Sequence, residues 1–128
     1  MKRISLVILI QLTLAMALAG CATFPGAPAG SSFIEESFTV EPGQKHTVAV
    51  LLQERRIVGG TFSVSGERAS IDFYVTGPEG ELVYGVERAV GGHSFEIRAQ
   101  NTGTYTLYFD NSISGGSPRQ VSLRYRVR

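Results

Sequence analysis

The chain has one cysteine, no tryptophan and only two histidines in 128 residues. One cysteine excludes an intramolecular disulfide, so the fold must hold by its core alone. The histidines, His46 and His93, lie far apart, and no Cys/His cluster of the kind structural zinc requires is present. Neither lies four residues from a second ligand-type residue on a helical pattern, which excludes the zincin arrangement. Each follows a turn and precedes a strand-like run, the setting of a structural surface residue. Charge of one sign is also lacking: Lys and Arg number 12, Asp and Glu 11. Nucleic-acid binding calls for a basic excess or patch, and none is visible. No Gly-x-Ser-x-Gly elbow occurs. Ser114-Gly115-Gly116-Ser117 lacks the lysine and the strand-to-helix setting of a phosphate loop. No cofactor, metal or catalytic set is therefore expected, and the chain does not read as an enzyme.

What is present begins with Met1-Lys2-Arg3 and an apolar run, Ile4 to Ala19, of 16 residues. A charged start, a short apolar stretch and small residues make a secretory signal. The run is short for a membrane span, which needs about 20 apolar residues. It ends in Leu18-Ala19-Gly20-Cys21, which resembles the lipobox of bacterial lipoproteins. That resemblance implies lipidation of the Cys21 sulfur, with Cys21 as the mature N-terminus. Several acyl chains on one residue anchor a domain stably where one chain does not. The other reading is ordinary cleavage after Ala17-Leu18-Ala19, leaving a free thiol. The lipobox is preferred because the lone cysteine falls where it has a use. Losing Lys2 and Arg3 leaves 10 basic residues against 11 acidic. Ala22, rather than an aspartate, follows the cysteine; by resemblance to sorted lipoproteins this favours the outer membrane in a Gram-negative host, and otherwise the cell surface.

Residues 22–32 (ATFPGAPAGSS) are rich in Ala, Pro, Gly and Ser, and read as a tether. The expected organisation is signal peptide 1–20, lipidated cysteine and tether 21–32, and one domain 33–128. Within the domain apolar and polar residues alternate, and turn residues interrupt the pattern at short intervals. Phe38 and Val40, then Val48, Val50 and Leu52, mark two strands around Glu41-Pro42-Gly43-Gln44, a turn with proline at its second place. A third strand covers Ile57 to Ser65, with Phe62 and Val64 inward and Gly59-Gly60 marking a bulge or a close backbone approach. From Ile71 to Val127 the alternation is strongest and reads as hairpins. Its core is Ile71, Phe73, Val75, Phe95, Ile97, Tyr105, Leu107, Phe109, Val121 and Leu123. Its turns fall at Gly77-Pro78-Glu79-Gly80, Gly91-Gly92 and Gln100-Asn101-Thr102-Gly103. The fold class is all-β: an antiparallel β-sandwich of about seven or eight strands.

Several segments in order, Asp72-Phe73-Tyr74-Val75, Gly77-Pro78-Glu79-Gly80, Phe95-Glu96-Ile97, Gly103-Thr104-Tyr105, Phe109-Asp110-Asn111-Ser112 and Val121-Ser122-Leu123, resemble the GOLD domain of the emp24/p24 family. The resemblance runs from about Phe33 to Val127. It implies a compact β-sandwich used for protein or ligand contact. The eukaryotic p24 domains carry a disulfide, whereas no cysteine follows Cys21 here, and the chain lacks their coiled coil, membrane helix and cytosolic tail. A role in vesicle cargo selection is thus not implied. The bacterial pre-peptidase C-terminal domain is also similar, through its Asp-x-Tyr-Val and Gly-x-Tyr patterns.

Few residues remain for function. Asp110 and Asn111, with Asp72 or Glu79, are candidate calcium oxygens, but calcium takes six to eight. Local bonds to the backbone are the preferred reading. Arg124, Arg126 and Arg128 fall on one face of the last strand. They suit an anionic lipid or acidic partner, though a solvated face or a charge-protected edge strand is the plainer account. Tyr74, Tyr84 and Tyr108 fall on the polar phase and either form a contact patch or cover the second sheet face. The expected function is a membrane-anchored, non-catalytic lipoprotein whose sandwich binds another envelope protein. The alternative is a carbohydrate- or small-ligand-binding envelope module.

Overall fold

The computed structural model describes residues 32–112 and 116–128. The signal, the lipobox residues Leu18, Ala19 and Gly20, the proposed lipidation site Cys21 and the tether up to Ser31 lie outside the described residues, as do Ser114 and Gly115 of Ser114-Gly115-Gly116-Ser117. Every regular element among the described residues is a strand. The eight are β1 (Ile34–Val40), β2 (Lys45–Leu52), β3 (Ile57–Ser65), β4 (Ser70–Thr76), β5 (Leu82–Val90), β6 (Gly92–Arg98), β7 (Gly103–Asp110) and β8 (Arg119–Val127). They form two four-stranded antiparallel sheets, ordered β1-β8-β3-β6 and β2-β7-β4-β5. This is the strand order of a jelly roll.

Only β4 and β5 are consecutive neighbours within one sheet. Every other connection crosses between the sheets. The hairpins expected over Ile71 to Val127 therefore reduce to one. Alternation reports which face of a strand is buried, not which strand lies beside it.

The two inner faces meet in an apolar core. All ten core residues expected in the second half of the chain are buried, and Val40, Val48, Val50, Leu52, Phe62 and Val64 join them. At its centre Phe73 lies about 5 Å, ring to ring, from Phe62, Phe95 and Phe109. Tilted and edge-on pairs of this kind are preferred over face-to-face stacking. Burying such a side chain contributes about 1.5–3 kcal/mol by transfer alone.

Local chemistry explains the turns. Gln44 N–H donates to the Glu41 carbonyl at 3.0 Å, and Gly43 takes a φ of 80°. With Pro42 ahead of it, that is a type II turn. Gly80 N–H likewise donates to the Gly77 carbonyl at 3.0 Å. The Gly59-Gly60 pair is a close approach rather than a bulge, since β3 pairs with β6 and β8 in unbroken register through both glycines.

The irregularity lies in β5, which extends to Val90. Ile71 pairs with Ala89 and Phe73 with Val86, so one extra residue bulges between them. Arg88, in that bulge, has a φ of 54°, and its N–H donates to Asp72 Oδ1 at 2.8 Å. A second slip separates Val75, paired with Tyr84, from Thr76, paired with Leu82.

Candidate functional site

Tyr74 on β4 and Tyr108 on β7 are direct cross-strand partners on the outer face of the β2-β7-β4-β5 sheet. Their rings stack at 4.7 Å with 12° between planes. Lys45 Nζ donates to the Tyr74 hydroxyl at 3.3 Å and lies 5.8 Å from the Tyr108 ring centre. The hydrogen bond to Tyr74, then attraction to the same phenol, holds the Lys45 ammonium above its usual pKa; desolvation opposes this weakly, and Asp110 and Tyr108 add to it. Opposite Tyr74 stands Gly85, and a hollow of about 520 Å³ opens there, lined by Asp72, Tyr74, Leu82, Val86 and Glu87. Leu82 and Leu51 are 67% and 74% exposed. The platform thus offers two flat rings, a cation and apolar flanks.

Tyr84 does not belong to this patch. It faces inward, opposite Val75, and packs on Phe73 with ring centres 6.2 Å apart. Leu82, Tyr84 and Val86 share one phase of β5, and the two slips turn Leu82 outward while keeping Tyr84 and Val86 against the core. The Tyr84 hydroxyl lies 2.7 Å from Nε2 of His93 on β6, in the other sheet, so this bond links the two edges. Beside it a cleft of about 520 Å³ runs between β5 and β6, lined by Glu81, Tyr84, Glu96, Ile97, Arg98 and Tyr105 among others. His46 stacks flat on Phe38, with ring centres 3.8 Å apart. Both histidines are thus engaged with aromatic neighbours.

Arg124, Arg126 and Arg128 do share one face, as the alternation predicts, but it is the outer face of the opposite sheet. β8 lies between β1 and β3, so the account of these charges as edge protection fails. Arg124 pairs with Glu35 at 3.2 Å and Arg128 with Glu96. The guanidinium carbons of Arg124 and Arg126 lie 3.7 and 4.7 Å from the ring centre of Phe33. The six contact candidates therefore divide among three places: two tyrosines on one outer face, three arginines on the other, and Tyr84 inside.

The calcium candidates are dispersed. Asp72 and Asp110 face each other across β4 and β7. Glu79 lies in the β4–β5 turn beyond the far end of β4, where its N–H donates to Glu81 Oε1 at 2.9 Å. Asp110 Oδ1 accepts from Ser112 N–H at 2.8 Å, a local turn bond. Asn111 is buried, and its amide donates to the Val40 and Ser117 carbonyls, both at 2.9 Å. Among the described residues no group of three or more Cys, His, Asp or Glu side chains is placed to hold a metal ion. Two structural roles were not foreseen. Asn111 ties the β7–β8 loop to β1, and Tyr105 donates to the Asn101 carbonyl at 2.8 Å, closing the β6–β7 loop in the manner of a tyrosine corner. The Asn-x-x-x-Tyr spacing was the available signal for the second.

A two-sheet antiparallel sandwich of eight strands belongs to the class of small β-sandwich modules. Residues 35–128 match the emp24/gp25L/p24 family/GOLD, and the chain belongs to that family. No curated protein sequence matches. Among solved structures the chain is similar to PliG from Aeromonas hydrophila, a periplasmic lysozyme inhibitor of g-type lysozyme. The TM-score there is 0.53 at 17% identity, covering 83% of this chain and 92% of that one. PliG from Salmonella Typhimurium gives 0.55 at 16% identity, covering 83% and 95%. These likenesses describe the fold.

Proposed function

We propose that the protein is an exported, lipid-anchored and non-catalytic module whose β-sandwich binds another protein of the cell envelope. The observation that carries the binding role is the Tyr74–Tyr108 stack with Lys45 at its edge. Tyrosine rings held rigid by their neighbours are among the residues that dominate protein interfaces. The two fold relatives, both periplasmic inhibitors that act on a protein, support an envelope setting and a protein partner. The lipobox-like Leu18-Ala19-Gly20-Cys21 supports the anchor, and Ala22 supports outer-membrane placement in a Gram-negative host.

Two experiments test this. A Cys21→Ala variant should leave the membrane fraction, and its retention there would remove the anchor. Site-specific photocrosslinking from position 108 in the native envelope should capture a discrete protein, and Tyr74→Ala should abolish the product. The hollow beside Gly85, with Tyr74 and two carboxylates on its rim, favours a second reading as a carbohydrate-binding module. Capture of glycan alone from position 108 would establish that reading instead.

A further inference from the structure

The outer face of the β1-β8-β3-β6 sheet contains a hollow of about 360 Å³ at the level of Gly59. Phe33, Thr61, Ser94, Glu96, Arg126 and Arg128 line it. Gly59 stands between Arg126 on β8 and Glu96 on β6, so the missing side chain makes the depression. Arg98 is exposed on the same face, one alternation beyond Glu96. Four guanidinium groups therefore accompany two carboxylates, Glu35 and Glu96, and the rest of this face is largely Ser, Thr and Gln. The opposite outer face carries Asp72, Asp110 and Glu87 with Lys45, and Arg88 stands in the bulge beside Asp72, so carboxylates outnumber cations there. Charge is thus segregated across the sandwich although the chain as a whole is nearly neutral.

The geometry points to the arginine face as the surface that meets anionic phospholipid headgroups, with the Gly59 hollow seating one phosphate. This inference rests on the lipid-anchor reading above. The domain's first residue, Phe33, is held against this face by Arg124 and Arg126, so the domain's N-terminal end lies at the arginine surface. Eleven residues between Cys21 and Phe33 reach about 20 Å as a coil. An anchored chain therefore keeps the arginines within reach of the bilayer surface. Guanidinium groups bind phosphate through paired, charge-assisted hydrogen bonds. The Thr61 and Ser94 hydroxyls supply further donors, and Phe33, 38% exposed, offers an apolar edge to the headgroup region. Glu96 opposes an anion here, because its carboxylate already holds Arg128.

The test uses the mature chain, Cys21 to Arg128, carrying Cys21→Ser so that no acyl group contributes. Cosedimentation compares vesicles of phosphatidylglycerol and phosphatidylcholine with vesicles of phosphatidylcholine alone. The chain should bind the anionic vesicles, and binding should weaken with salt. Each arginine near an anionic surface raises partition about fivefold, so Arg126→Ala/Arg128→Ala should lower it about 25-fold. Glu96→Gln should strengthen binding. Gly59→Val fills the hollow without changing charge and should weaken it; a Cβ there makes only ordinary contacts, the nearest at 3.5 Å. Equal binding to both vesicles, no binding to either, or an unaffected double variant overturns the inference. Occupation of the hollow by inorganic phosphate with no vesicle binding would make the ligand a soluble anion and also overturn it. The anchor is decided separately, by the mass of the native N-terminal peptide: an unmodified Cys21 rejects the anchor, while the unacylated chain still decides the surface.

Discussion

Gly59 and Gly60 are neighbours in β3 but face opposite ways, and substitution should separate them sharply. A Cβ on Gly60 would stand 2.3 Å from the Arg124 carbonyl oxygen and 2.7 Å from Tyr125 Cα. An ordinary carbon–oxygen contact is about 3.3 Å, so the deficit is roughly 1 Å against backbone. Backbone of a central strand cannot swing aside as a side chain can, and β8 would have to shift relative to β3. Overpacking of this kind costs about 3 kcal/mol at the upper end of its usual range. Reduced freedom of the unfolded chain returns about 0.4–1 kcal/mol. Gly60→Ala should therefore cost about 2 kcal/mol. At about 4–8 °C per kcal/mol for a domain of this size, the midpoint should fall by about 8–16 °C. A Cβ on Gly59 meets nothing closer than 3.5 Å, and the same entropy term should stabilise Gly59→Ala slightly. Thermal unfolding followed by circular dichroism measures both. A Gly60→Ala midpoint equal to that of the parent, or a reversed order of the two variants, would refute the close approach.

Three further outcomes are expected. Phe73→Ala removes the ring at the centre of the aromatic core and should cost about 3–5 kcal/mol in urea unfolding, a large part of a small domain's stability; a loss below about 2 kcal/mol would contradict its central place. Tyr105→Phe deletes the hydroxyl that bonds Asn101 and should cost about 1 kcal/mol. Hydrogen exchange at the Asn101 amide should then quicken, and unchanged exchange would show that the loop is held by other means. Burial first, and the Glu36 carboxylate second, raise the Tyr125 phenol above its ordinary pKa. A phenol whose folded pKa exceeds its unfolded value favours folding below the unfolded pKa of about 10, and that contribution is lost as pH rises beyond it. Stability should fall with alkalinity above about pH 10, and Tyr125→Phe should flatten the fall; the same slope in the variant would assign the effect to another group.

Much of the fold was legible because sandwich strands obey a period of two. The ten expected core positions from Ile71 onward are buried, and β3 runs between its expected ends, because each strand carries one wet face and one dry face. Tyr84 shows where that logic stops. Its inward position depends on two slips against β4, and a bulge leaves no mark in the alternation of β5 itself. The arginines show a different limit. Their common face followed from spacing, but whether β8 was an edge or a centre depended on pairing with β1 and β3, more than 50 residues away in the chain.

Local chemistry along the chain determined the alternating strands and the proline and glycine turns. Tertiary structure alone decided which strands are neighbours, and with that the separation of tyrosines from arginines. Periodicity is a property of one strand, whereas a surface is made by strands from distant parts of the chain. The Tyr74–Tyr108 stack and the hollow at Gly59 exist only because β4 meets β7 and β3 lies between β6 and β8.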